Sequence, residues 1–96
     1  MQQEHDLDST FAVHSDVVLE SIEDMMIAVH LGTDRIVELN ETASRLLELL
    51  MGGATAATAA GMIADEYSAP AGEVLRNVEG TVEALLAEGI IQRGPN

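Results

Sequence analysis

An α+β fold, an N-terminal three-stranded antiparallel sheet followed by three helices, is what this 96-residue sequence predicts, and three observations predict it. The hydrophobic period changes at Asn40: Val37 and Leu39 alternate with Ile36 and Glu38, whereas Ala43, Leu46, Leu47 and Leu50 recur at helical spacing. Upstream, VVLESIED and MMIAVHL both read as extended segments. Downstream, Gly52-Gly53 and Ser68-Ala69-Pro70 divide the chain into three helical runs.

The elements follow in order. Residues 1–10 lack periodicity and are rich in Gln, Asp and Glu, so they read as a flexible acidic tail, with order beginning near Phe11. The first strand starts at Val17, and the second, Met25 to Leu31, sets Ile27, Val29 and Leu31 on one face. Acids rather than a strong turn signal separate these two. Gly32-Thr33-Asp34, with a glycine able to take positive φ, suits a hairpin into the third strand, Arg35 to Leu39. Asn40 is placed to cap a helix from Glu41 to about Met51, and Glu41 lies at the positive end of its dipole. Gly52-Gly53 supplies a left-handed end, and Thr55 caps a second helix through Tyr67. Pro70 fits the first turn of a third helix, whose stripe of Val74, Val78, Val82, Leu85 and Leu86 runs up to Gly89. Gly80 costs this helix about 1 kcal/mol relative to alanine. A close packing neighbour is the expected reason, and close approach by another molecule the second. IIQRGPN adds a short extended segment before Gly94-Pro95. One domain at 11–93 is expected, with a flexible tail at 94–96. The last two helices and the extended chain after them give the layout a winged helix-turn-helix-like character.

Composition narrows the function classes. Seventeen acids face four arginines and no lysine, a formal charge of −13 that repels phosphate backbones, so nucleic acid is not expected as a partner. The third helix carries one arginine against four glutamates, the reverse of a DNA-reading helix. The same sign repels anionic lipid and favours a basic partner, or simply keeps the protein soluble. With no cysteine there is no disulfide and no thiolate nucleophile. The polar, acidic MQQEHDLDST is unlike a secretory signal, and no apolar run approaches the roughly 20 residues that span a bilayer, so a cytoplasmic protein without membrane contact is expected. Phe11 and Tyr67 are the only aromatic residues among Phe, Tyr and Trp, which leaves the core to aliphatic side chains.

Catalytic chemistry finds no footing. His5, His14 and His30 form no i, i+4 pair, and each reads as a solvated or edge-strand side chain rather than a metal ligand. Adjacent acids such as Asp65-Glu66 point to different helix faces. No serine lies in a G-x-S-x-G elbow, and Asp8-Ser9-Thr10 is not at the start of a hydrophobic helix as a carrier serine would be. A non-enzyme without metal or cofactor is expected. What remains is the strand RIVEL, which at a sheet edge would offer unpaired backbone groups to an extended peptide. Its outward residues Ile36 and Glu38 would otherwise simply face solvent or be covered by the third helix.

The succession Leu39-Asn40, Thr42-Ala43, a Leu-rich helix, Gly52-Gly53-Ala54-Thr55, a short helix ending near Tyr67, and a last helix running into Leu85-x-x-Glu88-Gly89-Ile90-Ile91 resembles the PqqD family. This family is also called the recognition element for precursors of ribosomally made, modified peptides (RiPPs). The likeness covers about Val17 to Gln92. It departs from the family where leucine at Leu46 or Leu47 replaces an aromatic, and in its scarcity of basic residues. The resemblance implies a non-catalytic adaptor that binds the leader segment of a precursor peptide and presents it to a maturation enzyme. That enzyme is a radical SAM protein in pyrroloquinoline quinone biosynthesis and a leader peptidase in lasso-peptide biosynthesis. It also implies a leader strand added to the third strand, through the backbone of Arg35, Ile36, Val37 and Glu38. Ile36 would touch an apolar leader residue and Glu38 a basic one. Val74, Arg76, Asn77, Val78 and Thr81 would wall a groove that Gly80 opens, and Leu39, Leu46, Leu47, Leu50, Val82, Leu85 and Leu86 would be core. A homodimer through the same edge strand, without leader binding, is the alternative.

Overall fold

Residues 8–94 are described by a computed structural model. Residues 1–7 and 95–96, where most of the two expected tails and His5 fall, lie outside the described residues. The elements are β1 (Phe11–Val13), β2 (Val17–Ile22), β3 (Met25–His30), β4 (Arg35–Leu39), α1 (Glu41–Met51), α2 (Ala56–Tyr67), α3 (Ala71–Ala87) and β5 (Ile91–Arg93). The three strands β2-β3-β4 form the expected antiparallel meander. A pairing not expected from the sequence joins β1 to β5, with Phe11 opposite Arg93 and Val13 opposite Ile91. It brings the two ends of the chain together, and the Gly94 amide donates to the Thr10 carbonyl at 2.8 Å.

Helix limits follow local signals. The Asn40 side chain accepts from the Ala43 amide and that of Thr55 from the Thr58 amide, so both expected caps form. Pro70 stands one residue outside α3, with extended ψ of 128° and no side-chain capping bond, rather than in its first turn. At the end of α1, Gly53 adopts φ 101°, while the amides of Gly53 and Ala54 return to the carbonyls of Leu50 and Leu49. Gly89 repeats the arrangement after α3 at φ 76°.

Two strand details differ from the sequence reading. The hairpin between β3 and β4 takes its left-handed residue from Asp34, φ 61°, and not from Gly32. Gly32 sits instead in a crowded spot, where a methyl group would come within 3.0 Å of the Asp16 carboxylate and 3.1 Å of the His30 ring and make one of them shift. His30 itself is buried on the central strand, not solvated or at an edge. Its position in the pleat groups it with Met26 and Ala28, so it must point inward. There its Nδ1 accepts from the Gly32 amide, and its ring centroid lies 4.8 Å from that of His14.

The core lies between the inner face of the sheet and the helices. Met26, Ala28 and Leu39 meet Leu46, Leu47, Leu50, Ile63, Val78, Val82 and Leu85 there, with Phe11, Ile90 and Ile91 sealing one side. Leu86 is only half-buried. The face of β3 that carries Ile27, Val29 and Leu31 is turned away from this core. Between α1 and α2, the Arg45 guanidinium grips Glu66, with Nε to Oε1 at 3.0 Å and Nη2 to Oε2 at 2.6 Å. These bonds hold the Glu66 carboxyl below its ordinary 4.5. Its contribution to stability is therefore present above pH 4.5 and is lost as pH falls through the lowered value.

The corner between β4 and α1 is held by a buried hydroxyl. Ser44 Oγ accepts from the Met26 amide at 2.8 Å and donates to the Leu39 carbonyl at 3.2 Å. Met26 and Leu39 are register partners, so the hydroxyl stands at the last rung of the β3–β4 ladder. Ser44→Ala leaves both backbone groups facing a methyl group, and a loss of about 1–3 kcal/mol is expected. Thermal denaturation followed by circular dichroism would register it as a Tm lower by roughly 4–8 °C per kcal/mol. An unchanged Tm would show that water replaces the hydroxyl.

Candidate functional site

Backbone direction decides what the edge of β4 can offer. In an antiparallel sheet the amide and carbonyl of one residue point to the same side, and successive residues point to opposite sides. The Leu31 amide donates to the Asp16 carbonyl on the β2 side, so Leu31, Val29 and Ile27 face β2 and His30, Ala28 and Met26 face β4. The partners of the latter set, Arg35, Val37 and Leu39, direct their backbone groups back to β3. Ile36 and Glu38 direct theirs outward, and no described strand pairs with that edge. Of the four residues expected to offer backbone groups, two thus face the free edge, while Arg35 and Val37 are already committed to the sheet.

Beside this edge runs a groove of about 700 Å³ bounded by β4, the start of α1, the end of α2 and α3. Val37 and Leu39 reach it because their side chains alternate to the inner side of the sheet. Val74, Arg76, Asn77, Val78 and Thr81 of α3 all line it. Val74 and Val78 are buried and belong to the core as well, whereas Arg76 and Asn77 are exposed and Thr81 is half-buried. Ile36 and Glu38 do not line the groove. They project on the opposite face of the sheet, so a strand added at this edge would present alternate residues to the groove and to these two side chains.

Gly80 lines the groove, and a methyl group built on it would meet nothing within 4 Å. The expected packing neighbour is absent among the described residues, and the glycine keeps this stretch of the wall open. Three lining leucines assigned only to the core, Leu39, Leu46 and Leu85, are buried and also floor the groove. Sequence reading did not assign Tyr67 or Glu88 to the site. Tyr67 ends α2 by the mouth of α1, and its hydroxyl lies 3.4 Å from Glu41 Oε2. At the other end, the Arg35 guanidinium is 3.0 Å from the Glu88 carboxylate, tying the first residue of β4 to the C-cap of α3. Arg35 therefore acts here through its side chain. Glu73 and Arg76 add one exposed charge of each sign to the lining.

No three His, Cys, Asp or Glu residues among the described ones are grouped so as to hold a metal ion, and the groove is rich in aliphatic side chains. Its geometry suits non-covalent capture of an extended chain. No described helix is long and apolar enough to cross a membrane.

Comparison with known proteins agrees with this geometry. The family model described as coenzyme PQQ synthesis protein D (PqqD) matches residues 25–91. No curated protein matches the chain. Among solved structures, TbiB1 in complex with the TbiA(beta) leader peptide is similar at a TM-score of 0.81 and 25% identity, covering 88% of this chain and 99% of that one. Lasso peptide synthetase B1 complexed with the leader peptide has the same TM-score and coverage at 19% identity, a likeness of fold.

Tyr67 gives the groove its own reporter, being the only tyrosine in a chain without tryptophan. Desolvation raises its phenol above 10, and the neighbouring Glu41 charge adds to the effect. Absorbance at 295 nm during alkaline titration is expected to place its midpoint above 10, and Glu41→Gln is expected to lower it. A midpoint that Glu41→Gln does not move would separate the two side chains in solution.

Proposed function

Since the chain belongs to the PqqD family, we propose that it is a non-catalytic adaptor that binds the leader segment of a ribosomally made precursor peptide and presents it to a maturation enzyme. One observation carries the reading: the outward backbone groups of Ile36 and Glu38 lie on a strand edge that no described strand pairs with, directly beside a groove of about 700 Å³. The likeness to a leader-peptide complex at 25% identity supports it, and the enzyme served is a radical SAM protein or a leader peptidase.

The leader enters as a fourth strand. Its backbone bonds to Ile36 and Glu38, which gives affinity largely independent of its sequence. Its inward side chains rest against Val37, Val78 and Thr81, with Gly80 allowing a bulky one to come close. Arg76 and Asn77 offer polar contacts at the rim. Its outward side chains lie next to Ile36 and Glu38, so an apolar residue followed two positions later by a basic one matches this face. The chain's formal charge of −13 also favours a leader of positive charge.

Two substitutions test edge and groove separately, with fluorescence anisotropy of labelled leader peptides taken from precursor genes beside this one. Ile36→Pro removes an amide that faces the free edge rather than β3, so the fold is expected to persist while leader binding is lost. Gly80→Ala is expected to raise stability by about 0.5–1 kcal/mol, because its methyl group meets open space. Gly80→Trp should keep the fold and block the groove, weakening the leader at least about tenfold. Tight binding by Ile36→Pro would remove strand addition from the mechanism. Self-association of the wild type through this edge, with no leader bound, would favour the homodimer.

A further inference from the structure

The outer face of the three-stranded sheet is apolar where a solvated sheet face is ordinarily polar. On that side the central strand carries no charge at all: Met25, Ile27 and Val29 of β3 project outward, with Leu31 just beyond. The register then sets Val18 and Ile36 on either side of Val29, and Ile22 next to Met25. Val18, Ile22, Met25, Leu31 and Ile36 are 45–67% exposed, so no described element covers them. Scattered apolar residues on a surface need no explanation, but a contiguous set across three strands marks an interaction site.

Charge identifies what fits there. Glu20 and Glu38 flank Ile27 in one cross-strand row, and Glu23, Asp24 and Asp34 stand in the two hairpin connections. No basic side chain belongs to this face, since Arg35 projects to the inner side and is held by Glu88. A second copy would oppose these acids to acids on a chain of formal charge −13. A partner with lysine or arginine around an apolar centre would pair with them instead.

We infer that this outer face docks the maturation enzyme, through a surface on that enzyme that is apolar in its centre and basic at its rim. The partner's identity rests on the adaptor reading proposed above. The groove and this face lie on opposite sides of one sheet, so leader and enzyme do not compete for space. They are also contiguous: a leader strand beyond β4 lays its outward side chains beside Ile36 and Glu38, extending the same face. The enzyme therefore meets a surface completed by the bound leader, and binds the loaded protein more tightly than the empty one.

The test pairs the full chain with the purified maturation enzyme encoded beside it, using biolayer interferometry with and without leader peptide. Val18→Lys/Leu31→Lys places two cations on exposed positions away from β4 and the groove, so fold and leader affinity should be unchanged. Enzyme binding is expected to weaken at least about tenfold, and wild-type binding to weaken as salt rises. Glu20→Lys, which leaves the apolar centre intact, should weaken it too. Wild-type-like enzyme binding by the double variant would overturn the inference, as would a wild-type protein that binds no neighbouring enzyme. A wild-type dimer in sedimentation that the double variant lacks would assign the face to a second copy and overturn it equally. If the enzyme is lost as expected but no leader binds, the docking face stands and the adaptor reading falls. Leader binding with enzyme docking elsewhere removes the inference alone.

Discussion

The Ser44 hydroxyl, wedged between the Met26 amide and the Leu39 carbonyl, is the joint on which the rest of the structure depends. It satisfies the last rung of the β3–β4 ladder with a side chain of the following helix, so the strand ends where the helix begins. The chain turns at Asn40, which caps α1, and Leu46, Leu47 and Leu50 are carried under the sheet. Once α1 is fixed below β3 and β4, α3 packs alongside rather than across the edge of β4. The edge stays open, and a groove is left next to it.

The groove and the core share their side chains. Val74, Val78, Leu39, Leu46 and Leu85 are buried and nonetheless form its lining, so its walls are as rigid as the interior. Binding at such a wall needs little rearrangement. Gly80 is the exception, an opening where the helix gives up propensity and receives no packing inside the chain. The two ends are fastened by polar contacts, Arg35 with Glu88 and Tyr67 with Glu41, each joining residues far apart in sequence.

Acidity has a different meaning in different places. Glu66 is neutralised locally by Arg45 and Glu88 by Arg35, and both pairs are structural. Glu20 and Glu38 frame an apolar sheet face, where their charge selects the sign of whatever approaches. Like-charged copies are disfavoured across that face by the same field that attracts a basic partner.

From β2 onward, the sequence by itself determined the kinds of element, their order and most of their ends, whereas β1 was not legible in it. The change of period at Asn40, the caps at Asn40 and Thr55 and the glycines after α1 and α3 all act on neighbours within a few residues, and such signals are legible in one dimension. Only the tertiary structure decided which side of β3 is inside. Met26 and Ala28 are no more apolar than Ile27 and Val29, so alternation alone leaves the choice open, and the packing of α1 resolves it. The same holds for the site. That Ile36 and Glu38, rather than Arg35 and Val37, face the free edge follows from the pairing of β3 with β2. That Arg35 serves Glu88 follows from a contact across 53 positions. Pairings between distant residues leave no periodic trace in the chain, and the third dimension alone makes them neighbours.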